Sequence, residues 1–148
     1  MSPRSTDLDW FLGQLSTSWN YGVEQRNKDW LQLEYFAMLR KHGVAHVFNN
    51  WSAMPTVGEQ MNIAQSETSD RLLAARFLLK PGRSYEEAVK EFSPYKAVKD
   101  VNEEARQSGK QLIQRARQQG KRAFIFVNNR LEGNALETIQ AMVDGAGV

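Results

Sequence analysis

Cysteine is absent from the 148-residue chain. That absence excludes a disulfide framework, a thiolate metal centre and a cysteine nucleophile. Histidine is scarce: only His42 and His46 occur, so a metal site would need carboxylates from separate strands around His46, and none is proposed. A Ser-His-Asp nucleophile has no elbow motif to stand on. No apolar run approaches the ~20 residues of a membrane-crossing helix. The stretch from Met1 to Leu15 lacks the basic-then-apolar layout of a secretory leader, and a cytoplasmic location is the resulting expectation. Charge of one sign is missing too. Nineteen Lys and Arg against 17 Asp and Glu leave a net charge of +2, so no global field points at nucleic acid or membrane. What remains is a globular composition, 41% hydrophobic and 24% charged, with no linker or low-complexity segment to divide it.

The apolar periodicity predicts a helix around Leu8, Phe11, Leu12 and Leu15, capped by Thr6 with Asp9 three residues on. Tyr21 to Arg26 leans towards strand. Trp30 to His42 reads as a helix burying Leu33, Phe36, Ala37 and Leu39, with His42 offsetting the helix dipole before Gly43 stops it. Val44 to Phe48 is a buried strand closed by Asn49-Asn50, with His46 inside it as a satisfied core group. Trp51 to Asp70, mixed and interrupted by Pro55 and Gly58, reads as a long loop of functional or covering type. Leu72 to Leu78 fits strand or helix, and Pro81-Gly82 ends it. Ser84 and Glu87 form a capping box for a short helix to Phe92. Asn102 to Gln119 is a long helix with Ala105, Leu112, Ile113 and Ala116 on one face and Gly120 at its end. Ala123 to Val127 is the clearest strand, closed by Asn128-Asn129. A last helix, Ala135 to Val143, buries Ile139, Met142 and Val143, and Asn134 with Glu137 caps it before a fraying tail.

Apolar strands alternating with helices imply an α/β fold with a parallel sheet covered by helices. Two strands end alike, Phe48-Asn49-Asn50 and Val127-Asn128-Asn129, which puts amide groups at the carboxyl ends of parallel strands, where α/β folds keep their ligands.

Three stretches in order carry a resemblance. They are Val23-Glu24-Gln25-Arg26 with Trp30, then Asn50-Trp51 through Pro55 and Gln60 to Arg76, Leu79-Lys80-Pro81-Gly82-Arg83, Tyr85 and Pro94-Tyr95, and finally Asn128-Asn129-Arg130-Leu131-Glu132-Gly133-Asn134-Ala135. Together they resemble the YecE-like family, the domain of unknown function 72, whose members form a TIM-type barrel. Gln25 stands where that pattern has an apolar residue, and Leu136 where it has proline. The resemblance implies that residues 1–148 are a single partial domain, about four βα units corresponding to the carboxyl-terminal half of a (β/α)8 barrel. A whole barrel takes about 250 residues, and the family's opening strands have no counterpart here.

By the same resemblance, Glu24 and Arg26 point into the barrel near its carboxyl-terminal mouth. Arg76 is a second guanidinium for that mouth; Asn49, Asn128, Asn129 and Arg130 arrive from other strand ends. Two arginine forks with amides suit a phosphate or carboxylate, and Glu24 is the candidate catalytic acid or base. The plainer reading makes Glu24, Arg26 and Arg76 a buried ion network, and Asn128-Asn129 a turn or helix cap. Arg106, Lys110, Arg115, Arg117, Lys121 and Arg122 read as a solvated helix surface, with no aromatics interleaved to favour nucleic acid.

Three functions follow as expectations: an enzyme or enzyme-derived barrel binding a small anionic ligand, a nucleic-acid-backbone binder, or a truncated and inactive fragment. No cofactor is indicated. An open four-strand sheet would expose its edges and its inner apolar face, so a homo-oligomer or a complementary half-barrel is the expected partner.

Overall fold

Parallel strands cannot be joined by tight turns, so each crossover here carries a helix. A computed structural model describes residues 3–148, with side chains from Ser5 onward; Met1 and Ser2, where the stretch read for a leader begins, lie outside the described residues. The order is α1 (Pro3–Gln14), β1 (Gly22–Glu24), a 3-10 turn (Lys28–Trp30), α2 (Leu33–Lys41), β2 (Ala45–Asn50), α3 (Val57–Met61), β3 (Leu72–Phe77), α4 (Tyr85–Phe92), α5 (Glu103–Gln119), β4 (Arg122–Val127) and α6 (Ala135–Ala146). The four strands pair in parallel in the order β1-β2-β3-β4. Crossovers between parallel neighbours are almost always right-handed, so a sequential order sends every helix to the same face.

Packing follows that rule. Phe48 of β2 with Leu73, Ala75 and Phe77 of β3 form one core with Val57, Met61, Leu112, Ala116 and Met142 from the helices. Val23 joins α1 and α2 in a second core around Tyr35, Phe36 and Leu39. Gly109 lets α5 and α6 close on each other, because a Cβ there would lie 2.3 Å from the Met142 sulfur. The opposite face carries Gly22, Glu24, Ala45, Val47, Asn49, Leu72, Ala74, Arg76, Phe124 and Phe126, the alternate residues of each strand in register. It forms an open trough of about 390 Å³ lined in part by Glu24, Val47, Leu72, Arg76, Phe124 and Phe126.

Several expectations need correction. The first helix begins upstream at Pro3, so Thr6 lies inside it and is not its cap. Asp9 instead accepts from Lys41 Nζ (3.0 Å) and pairs with His42 Nε2 (2.6 Å), tying α1 to the end of α2. His42 therefore answers a carboxylate as well as a helix end. Leu33 and Ala37 face outward, and Tyr35 and Met38 are buried in their place, since the helix starts at Leu33 and its stripe is rotated. The Trp51–Asp70 segment is not loop throughout: it contains α3, started by a capping box of Thr56 and Glu59 that follows Pro55 and straddles Gly58. The ambiguous Leu72 run is strand, central in the sheet. The last helix runs on to Ala146 and buries Thr138, Met142 and Ala146, while Ile139 is exposed and Val143 half-buried. Among the described residues no helix is long and apolar enough to cross a membrane.

His46 is buried at the heart of β2. Gln60 Nε2 donates to the carbonyls of Asn49 (2.6 Å) and Pro55 (2.7 Å), which leaves its Oε1 to accept from His46 Nε2 at 3.2 Å. The other ring nitrogen faces the Tyr35 hydroxyl at 3.4 Å, so this network holds a neutral imidazole. Burial pushes the His46 pKa down to about 4, against a small opposing effect of Gln60. In the unfolded chain the ring takes up its proton near 6.5. Between those values the unfolded state binds more protons, so stability should be level above pH 6.5 and fall as the pH drops to about 4, by on the order of 3 kcal/mol. Lowered carboxylates such as Asp9 and Asp100 add their losses only below this window. Urea midpoints measured from pH 7 to 4 check the slope, and His46→Gln should flatten it; an unchanged slope in that variant refutes the assignment.

Candidate functional site

At the carboxyl end of β1 the alternation that buries Val23 among the helices turns Glu24 to the open face. Its two oxygens serve two arginines. Arg26 Nε donates to Oε1 at 2.9 Å, and Arg76, two strands away, donates through its Nη1 to Oε2. Arg26 also lies over the Trp51 ring, 4.3 Å from guanidinium carbon to centroid. Glu24 is mostly enclosed, whereas both guanidinium groups keep solvent access. Gln25, on the other face, folds its Oε1 back to the backbone N–H groups of Arg26 (3.1 Å) and Asn27 (3.2 Å), which satisfies the polar group in its unusual position.

Asn49 pairs in register with Arg76 and is fully buried. Its Nδ2 donates to the Gln25 carbonyl at 2.9 Å, bracing β2 against the end of β1, and its Oδ1 has no protein partner. Asn50 turns the other way and accepts from the Val57 N–H at 2.7 Å, starting α3. The structure thus brings Glu24, Arg26 and Arg76 into contact, with Asn49 beside Arg76.

The last strand delivers its residues differently. Asn128 Oδ1 accepts from the Arg130 N–H (2.9 Å) and Nη1 (3.3 Å), an Asx turn. Asn129 Oδ1 accepts from the Ala135 N–H at 2.8 Å, at the start of α6. Arg130 lies over the Tyr85 ring (4.2 Å) and donates to the Tyr85 hydroxyl at 2.8 Å, while its buried Nε has no protein partner. Among the described residues no hydrogen bond joins these three to the Glu24 cluster.

The rest of this signature is architectural. Glu132 is fully buried and accepts from the Asn102 N–H (2.6 Å), from Arg106 Nε (2.9 Å) and Nη2 (3.1 Å), and from the Thr138 hydroxyl (2.6 Å). Gly133 sits at φ +118°, and a Cβ there would lie 2.6 Å from the Ala97 carbonyl. Asn134 caps α6 through the Glu137 N–H and donates to the Tyr95 carbonyl. Glu132, Trp51 and Tyr85 were visible in the sequence without any spacing that gave them these roles. The basic residues around α5 are also less free than expected: Arg106 is held by Glu132, and Arg115 and Lys121 by Glu67.

A one-sided α/β sheet with a guanidinium–carboxylate cluster at its strand ends defines the class of protein: one assembled from successive βα units. The chain belongs to the DUF72 family, described as a protein of unknown function, whose family model matches residues 1–148. It is similar in fold to a solved DUF72 family protein from Enterococcus faecalis V583, at 14% identity and a TM-score of 0.69, covering 100% of this chain and 56% of that one. A DUF72 family protein from Thermotoga maritima MSB8 gives 18% identity and a TM-score of 0.64, covering 96% of this chain and 50% of the other. The chain therefore spans about half the length of these solved relatives. Curated proteins provide no match.

The Glu132 arrangement makes a direct prediction. Glu132→Ala leaves Arg106 partly buried without its carboxylate and strands two further donors, so it should cost about 3–5 kcal/mol. Asn129→Ala, which loses one helix-start acceptor, should cost about 1 kcal/mol. Urea denaturation of both variants checks the ranking; equal losses would contradict it.

Proposed function

We propose that this chain is the carboxyl-terminal half of a DUF72 barrel and that its mouth binds a small anion bearing phosphate or carboxylate. One observation carries the reading: two guanidinium groups, Arg26 just after β1 and Arg76 in β3, converge on a single carboxylate, that of Glu24. A seat that holds a carboxylate between two forks suits a ligand of the same shape and charge. Arg26 and Arg76 are the ligand-binding pair. Glu24 holds them in its absence and is the candidate acid or base towards a bound ligand. Asn49 leaves an unpartnered acceptor oxygen beside Arg76, which suits a hydroxyl group of the ligand and not its anionic oxygens. Arg130 with Asn128 and Asn129 forms the far wall, where Tyr85 presents the guanidinium. A nucleic-acid backbone is the less favoured ligand, because Glu67 and Glu132 interrupt the basic stripe of α5.

Thermal melts with inorganic phosphate and a panel of sugar acids test this. A ligand that binds only the folded state stabilises it by about 2.7 kcal/mol at a hundred times its Kd. The melting temperature of the unaltered protein should rise with anion concentration, and Arg26→Ala and Arg76→Ala should abolish the rise while keeping the far-UV circular dichroism. Glu24→Gln removes the internal competitor and should enlarge the shift. If no anion in the panel moves the melting temperature, the reading fails.

A further inference from the structure

We propose that the open face of the sheet is closed by a second copy of this chain, the two forming one eight-stranded parallel barrel with β4 of each beside β1 of the other. The exposed apolar side chains mark the surface. Phe124 and Phe126 of β4 are 45% and 60% exposed on the open face, and Trp10 of α1 is 68% exposed with Phe11 beside it. Ile139 of α6 is exposed next to half-buried Val143. These residues sit on the two flanks of the structure, α1 with β1 at one edge and β4 with α6 at the other. By contrast, the central strands β2 and β3 bury most of their residues. Leu33, Tyr85 and Val101 are exposed elsewhere, but most of the exposed large apolar side chains lie at the two ends of the sheet, where a closing contact requires them.

The occupant follows from topology and size. Both edge strands, β1 and β4, present unpaired backbone, and every strand runs the same way. A two-fold axis along the barrel keeps all strands parallel and continues the order from β4 of one copy to β1 of the next. It satisfies both edges with one repeated contact, whereas a face-to-face sandwich would leave them bare. Eight strands is also the number at which inward side chains fill the interior. The inner face supplies the needed mixture, with Gly22, Ala45 and Ala74 small beside Leu72, Phe124 and Phe126. The solved relatives leave 44–50% of their own length unmatched, close to the length of one more copy of this chain. In this assembly Glu24 and Arg26 of one copy stand next to the strand end that carries Asn128 and Arg130 in the other, so the single mouth is built by both copies.

Light scattering at tens of micromolar should give twice the 16.9 kDa chain mass. Phe126→Asp should halve that mass while keeping the far-UV circular dichroism, and Leu33→Glu, on the exposed side of the internal helix α2, should leave it unchanged. Hydrogen exchange on the unaltered protein supplies a readout independent of any variant. Edge amides in Gly22–Glu24 and Arg122–Val127 should be protected at high concentration and lose protection on dilution. A monomer, a dimer with unprotected edges, or equal effects of the two variants would overturn the proposal, as would a different chain bound in place of the second copy. None of these outcomes depends on anion binding, so the two proposals stand or fall separately.

Discussion

The sequential parallel pairing of four strands is the constraint on which the rest of this molecule depends. Because crossovers between parallel neighbours are almost always right-handed, the order β1-β2-β3-β4 leaves the helices little choice of side. One face of the sheet then gathers the large aliphatic and aromatic side chains of two cores. The other keeps small and mixed residues, and two phenylalanines in partial contact with solvent. The same constraint gathers the carboxyl ends of all four strands along one rim. The location of the arginine cluster and the lack of helix cover over the inner face, where Ala45, Leu72 and Ala74 bury one another and Phe124 and Phe126 stay exposed, are therefore two consequences of one topology.

The segment that makes the chain most recognisable works mainly as a lock. Residues 128–134 turn the chain from β4 into α6, and Glu132 stitches that turn to the start of α5 through backbone and guanidinium donors and to α6 through the Thr138 hydroxyl. A buried carboxylate left without these donors would be costly, and with them it fixes one geometry. Recognition and chemistry thus reside in different residues. Arg130 of this segment reaches away from the lock, to the ring and hydroxyl of Tyr85 at the start of α4.

Three strands and most helices were legible because their apolar periods and caps agree: Ser84 with Glu87 and Asn134 with Glu137 cap as their spacing implies, while the Leu72–Leu78 run fitted strand and helix alike and Asn102, read as the first helical residue, is the cap. The failures share a cause. Thr6 and Asp9 satisfy a capping pattern locally, yet Asp9 is taken by residues 32 and 33 positions away, a tertiary contact that no local window contains. Helix α3 was hidden because a five-residue helix has too little period to register, and its capping box, Thr56 with Glu59, follows Pro55 and straddles Gly58. The meeting of Glu24 with Arg76 was readable only through the resemblance, since the residues are 52 apart and join across two strands. Asn128 and Asn129 show the converse. Their residue type fitted ligand and turn equally, and local hydrogen bonds to Arg130 and Ala135 now occupy their oxygens.

The placement of the two arginines bears on how Glu24 can act. A carboxylate with one guanidinium on each oxygen must release at least one of them before it meets a ligand's proton. Release would be costly if the arginines then collapsed or swung away. Arg26 is held independently by the face of Trp51, and Arg76 is rooted in a strand paired on both sides. An incoming anion can therefore take over the guanidinium groups while they stay where Glu24 left them. On the proposed reading, anion binding and the freeing of Glu24 are one exchange, and the internal salt bridge keeps the two guanidinium groups in place until the ligand arrives.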